Sequence, residues 1–107
     1  DIRQVDWSAP FVFVALTDGE LSLVCPAERA PARALKREEG WRGLRVCGAL
    51  DFSLVGVLSR LTEALAGRGI PVFAVSTFDT DYLFVKRARF EDALAALAAA
   101  GFEARRE

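Results

Sequence analysis

With 107 residues, 52% of them hydrophobic and 27% charged, the chain has apolar material for one compact core and charge enough to stay dissolved, which excludes wholesale disorder and any large architecture. Fourteen basic against fifteen acidic residues leave a formal net charge of -1, so neither nucleic acid nor an anionic membrane has an electrostatic handle, and both are set aside as partners. Histidine is absent, which removes the commonest general base and the commonest metal ligand; no metal or cofactor is expected, and no enzyme.

The first two elements are apolar runs rich in strand formers, Phe11 to Leu16 and Glu20 to Cys25, separated by Thr17-Asp18-Gly19. Asp-Gly between two such runs signals a hairpin whose two central positions both take positive φ. Pro26 to Gly40 then carries two prolines, several alanines and the charged run Lys36-Arg37-Glu38-Glu39 without a sustained period, and reads as a linker with room for one helical turn.

From Trp41 the pattern is orderly. Leu44 and Val46 alternate with Arg45 and Cys47 in a strand that ends at Gly48. A helix follows, with Leu54, Val57, Leu58, Leu61 and Leu65 on one face, Asp51 or Ser53 as N-cap, and Gly67 or Gly69 at its end. Ile70 to Thr77 is apolar on both faces and reads as a central strand. The turn Phe78-Asp79-Thr80 leads into a strand from Asp81 to Lys86, closing a second hairpin. Phe90, Ala93, Leu94 and Leu97 mark a second amphipathic helix, with Glu91 and Asp92 in its first turn, Gly101 at its end and no good N-cap; Phe102 to Arg105 is a short edge strand.

The order β-α-β-β-α-β describes an α+β fold of ferredoxin-like type over residues 41–107, a four-stranded antiparallel sheet with two helices on one face, preceded by a β-hairpin segment over residues 1–40. The opposite sheet face, with Phe73 and Val75, is too apolar to stay open, and a homodimer is the expected arrangement. Cys25 and Cys47 lie 22 positions apart in predicted strands, in neither redox nor zinc spacing, and read as buried reduced thiols. With no signal peptide at the start and no apolar run long enough to span a bilayer, a cytoplasmic protein is expected.

Two segments carry chemistry. In Asp51-Phe52-Ser53-Leu54-Val55-Gly56 a glycine falls in the first turn of a helix, where it costs about 1 kcal/mol relative to alanine. A helix N-terminus offers unpaired amides and partial positive charge, and a glycine there lets a carboxylate or phosphate come close; the competing structural reading is tight packing of helix on strand. The second segment, Ser76-Thr77-Phe78-Asp79-Thr80-Asp81, concentrates hydroxyls and carboxylates at a hairpin turn. Such groups commonly bond their own backbone. In the functional reading Asp79 or Asp81, together with a hydroxyl of the turn, takes a ligand ammonium while the helix terminus takes its carboxylate. The topology is read as placing the two segments at opposite ends of one unit, so the site lies at an interface with a neighbouring unit.

The stretch from Gly43 to Gly101 resembles the ACT-domain family, and more narrowly its small bacterial members related to the CASTOR arginine sensors. "STFDTDYLFV" at Ser76 to Val85 is similar to that subfamily's Ser-Thr-x-x-Thr-Asp signature, "DFSLVG" to its strand-helix loop, and "TDGELSLVCP" to the second hairpin of its N-terminal ACT-like half. Members carry a further strand before the segment matching Trp7 to Phe13, where this chain has only Asp1 to Asp6, so residues 1–40 read as a partial N-terminal half. The resemblance implies a regulatory module that binds an amino acid between ACT-like units, at Asp51 to Gly56 and at Ser76 to Asp81. The alternative is a module of the same fold that only dimerises.

Overall fold

The computed structural model describes residues 2–34, 36–46 and 56–103, and the chain divides into two units, residues 1–39 and 40–107. The first unit is built on a single hairpin. Strands β1 (Phe13–Leu16) and β2 (Leu21–Val24) pair antiparallel, Phe13 opposite Val24 and Leu16 opposite Leu21. The turn closes through the Thr17 N–H, which donates to the Glu20 carbonyl at 2.8 Å.

Positive φ at both central positions is not what closes it: among the described residues only Gly40, Gly56, Gly69 and Gly101 have positive φ. The Thr17 hydroxyl bridges the turn instead, accepting from the Gly19 N–H and donating to the Glu20 carbonyl, each at 3.4 Å, so ordinary backbone angles suffice. Beyond β2 the linker contains one 3-10 turn, Ala27–Arg29, and the Arg37 guanidinium returns to the Ala27 carbonyl at 3.0 Å.

The second unit carries β3 (Trp41–Arg45), α1 (Val57–Ala66), β4 (Val72–Ser76), β5 (Asp81–Lys86) and α2 (Phe90–Ala99). Its described strands form an antiparallel sheet in the order β3-β5-β4, so β5 is the central strand and β4 lies at an edge, a correction to the sequence reading. The burial follows this order. Leu83, Phe84 and Val85 of β5 are buried, whereas every residue of β4 is half-buried or exposed. The apolar character of both β4 faces arises from two different neighbours, the helices on one side and an aromatic group on the other. Phe102 and Glu103 are not in a strand, and the rest of the expected edge strand lies outside the described residues.

Leu83 and Val85 join Leu61 and Leu65 of α1, Phe90, Ala93, Ala96 and Leu97 of α2, and Ile70 in one core. Burying each of the leucine, isoleucine, valine and phenylalanine side chains stabilises the fold by about 1.5–3 kcal/mol, which is what holds the two helices on this face. On the opposite face Phe73 and its register partner Phe84 stack with ring centroids 4.8 Å apart, and Trp41 meets Phe73 edge-on at 4.7 Å. Lys86 lies across from Trp41 in the register, with its ammonium 4.5 Å from the indole ring. Gly43, opposite Phe84, makes room for this group: a Cβ there would stand 3.0 Å from the Phe84 ring.

Both helices end in the same way. Gly69, at φ +66°, donates to Ala66 while Ile70 donates to Leu65; Gly101, at φ +94°, donates to Ala98 while Phe102 donates to Leu97. These are Schellman pairs, with left-handed glycine just past the helix and an apolar residue folded back onto the last buried leucine. Both candidate terminators of α1 are used: Gly67 is its C-cap, in helical conformation, and Gly69 supplies the left-handed turn that follows. The start of α2 has no side-chain cap, as its sequence suggests; Arg89 donates instead to Asp92 at 3.1 Å and reaches the carbonyls of Arg68 and Gly69 at 3.3 and 3.4 Å, tying the end of α1 to the start of α2. No helix among the described residues is long and apolar enough to cross a membrane.

Candidate functional site

The β4–β5 turn repeats the closure of the first hairpin. The Thr77 N–H donates to the Thr80 carbonyl at 2.8 Å, the Thr77 hydroxyl donates to the same carbonyl at 3.1 Å, and the Thr80 N–H donates to the Thr77 hydroxyl at 3.2 Å. The flanking register pair is Ser76 and Asp81, and the Ser76 hydroxyl donates to Asp81 Oδ1. The second oxygen of this half-buried carboxylate has no hydrogen-bond partner among the described residues. Asp79 is exposed on the turn, and Phe78 projects from its tip with 88% of its surface open.

The register corrects one expectation outright. Because β3 runs antiparallel to β5, its last residues lie beside the first residues of β5: Arg45 is opposite Tyr82, the Val46 N–H donates to the Asp81 carbonyl at 2.9 Å, and the Thr80 hydroxyl donates to the Val46 carbonyl at 2.7 Å. The turn and the exit of β3 therefore share one end of one unit. The expectation of opposite ends does not hold for the end of β3, because two antiparallel pairings in succession restore the direction.

Gly56 is the N-cap of α1, at φ +91°, and its carbonyl accepts the first helical bond from Arg60 at 2.8 Å. It precedes the first turn rather than lying inside it. No described atom comes within 4 Å of where its Cβ would stand, so the glycine answers a left-handed backbone and not tight packing of helix on strand. The amides of the first helical turn have no intrahelical acceptor and carry the positive end of the helix dipole. Asp51, Phe52, Ser53, Leu54 and Val55, the other candidates in this connection, lie outside the described residues, as does Cys47.

A polar cluster in the first unit was not anticipated. Asp6 accepts from the Ser8 hydroxyl and main-chain N–H and from the Arg29 guanidinium at 2.8 Å, and the Ser8 and Arg29 donors hold its carboxyl down at about 2. The Asp-x-Ser spacing is an Asx-turn signature that names half of this cluster; Arg29 arrives from a distant turn and leaves no local mark. Cys25, one residue past β2, is unpaired, and burial raises its thiol, which makes it a poor nucleophile at neutral pH.

Residues 36–99 match the family model of the ACT domain. Among solved structures, protein Atu0741 from Agobacterium tumefaciens is 33% identical, with 97% of this chain and 79% of that chain covered at a TM-score of 0.80. VC0802 from Vibrio cholerae, a protein of unknown function described as a possible transport protein, is 24% identical, with 84% of this chain and 67% of that one covered at a TM-score of 0.64; at that identity the likeness is one of fold.

Proposed function

The chain belongs to the ACT domain family, and from that premise we propose that it is a regulatory module that binds an α-amino acid at the turn end of its second sheet. Domains of this family are commonly regulatory units that bind small molecules rather than catalysts. The observation that carries the reading is Asp81: a half-buried residue whose carboxylate has one oxygen held by Ser76 and the other without a hydrogen-bond partner among the described residues, on the strand end whose main chain pairs with Val46 at the exit of β3. That second oxygen is the acceptor for a ligand ammonium, and Asp79 on the same turn adds negative charge. The ligand carboxylate goes to the first-turn amides of α1 behind Gly56, where a charge-assisted bond and the helix dipole together contribute on the order of 1–3 kcal/mol. The resemblance of the Ser76 to Asp81 phrase to CASTOR-type arginine sensors supports an amino acid in particular. The domain is proposed to act as a cytoplasmic homodimer, with residues 1–40 belonging to a second ACT-like half.

One observation favours the alternative, a dimerisation module without ligand: the hydroxyls of Ser76, Thr77 and Thr80 all donate within the protein. A thermal-shift screen of the standard amino acids separates the two. The sensor reading requires at least one that raises the melting temperature, with calorimetry on Asp81→Asn showing weaker binding. A screen in which none acts leaves the dimerisation module as the function.

A further inference from the structure

The Thr80 hydroxyl leaves the turn that contains it. It has one proton, which goes to the carbonyl of Val46 at 2.7 Å, so none remains to donate to a ligand. Val46 is the residue just past β3, and its other main-chain group is held as well, by the Asp81 carbonyl at 2.9 Å. Two consecutive residues of the second hairpin thus grip both main-chain groups of the residue through which β3 exits. The second of the two is Asp81. The place of Thr80 in the first hairpin is filled by Glu20, whose carboxylate accepts from Ser22 two residues on, so the outward grip is not a general property of this turn.

From this geometry we infer that Thr80 is a positioning residue, a latch that fixes the exit of β3 against Asp81, and not a ligand contact. Its consequence for affinity rests on the sensor reading above; the latch itself does not. Without the hydroxyl the Val46 carbonyl loses its donor and the strand end frays from the turn, so the exit of β3 at Val46 is no longer held in place against Asp81. Affinity then falls through misplacement, since the distance between the ammonium and carboxylate subsites must match the ligand.

The test uses two variants of the full chain. Thr80→Val keeps the branched shape and removes the hydroxyl; Thr80→Ser keeps the hydroxyl. Native amide exchange should show the Val46 N–H about tenfold less protected in Thr80→Val, with Leu83 and Val85 unchanged and Thr80→Ser close to the parent. For any amino acid selected by the thermal-shift screen, affinity should fall about tenfold in Thr80→Val and be restored in Thr80→Ser. Unchanged protection of Val46 in Thr80→Val overturns the latch. Lower protection with unchanged affinity keeps the latch and overturns its role in placing the ligand. If no amino acid binds the parent, the sensor reading fails and the latch is decided by exchange alone.

Discussion

The two hairpins close their turns with the same device and do different things with it. In each, a threonine N–H donates to the carbonyl three residues on at 2.8 Å, and the threonine hydroxyl reinforces the closure. The first is flanked by the register pair Leu16 and Leu21, 71% and 43% exposed; the second by Ser76 and Asp81. Among the described residues β2 pairs with β1 alone, while β5 has a partner on each side and helices over one face. A turn scaffold is thus neutral with respect to chemistry. The polar pair beside it, and a third strand for its side chains to reach, make the second hairpin a candidate site.

The largest effect expected from this contrast is one of stability. Leu83→Ala in β5 removes a side chain buried in the main core and should cost about 2–5 kcal/mol, whereas Leu23→Ala, the counterpart in β2, should cost about 1 kcal/mol or less. Urea unfolding of both variants measures the difference, and equal costs would break the comparison. Next comes the polar pair. Asp81→Asn keeps an acceptor for Ser76 but removes the charge, and should weaken binding of a screened amino acid by roughly tenfold to a hundredfold with little change in unfolding midpoint.

Smaller again is the glycine effect. Gly69→Ala places a side chain at positive φ and should cost about 1 kcal/mol; Gly19→Ala, in a turn without positive φ, should stay within about 0.5 kcal/mol. A cost at Gly19 as large as at Gly69 would mean that the first turn is built unlike the second. Least is the Asp6 clasp of the first unit. Its carboxyl is lowered from 3.8 to about 2, so its contribution is fully present above the ordinary carboxylate range and is lost as the pH falls from about 4 through about 2. A carboxyl titration by NMR should place its midpoint there, and Arg29→Gln should move it back toward 3.8.

Much of this was legible because periodicity reports burial directly. The stripe Val57, Leu58, Leu61 and Leu65 meets the core as written, and so do Phe90, Ala93 and Leu97, because a single apolar face has only one way to leave water. Strand order was less legible. Apolar residues on both faces of Val72–Ser76 suggest a central strand, yet an edge strand acquires the same signature when an aromatic group covers its second face, and nothing local distinguishes Phe73 stacked on Phe84 from Phe73 between two strands. The candidate residues at Ser76 to Asp81 could be singled out from their hydroxyls and carboxylates alone. What joins them to β3 could not, since the contact of Thr80 with Val46 spans 34 positions and depends on register. Asp18-Gly19 misled for the opposite reason, a strong local preference overridden by the Thr17 hydroxyl next to it.

The paired helix endings bear on how this sequence can drift. Each left-handed glycine sits four residues after a buried leucine and one before the apolar residue that folds back on it, Leu65-Gly69-Ile70 and Leu97-Gly101-Phe102. Adding or deleting one residue inside either interval would turn the returning residue away from the core by about 100° of helix rotation. These intervals should therefore be closed to insertions in viable descendants, while the exposed tip at Phe78 and Asp79, which supports no buried partner, is the place where added length would be accommodated.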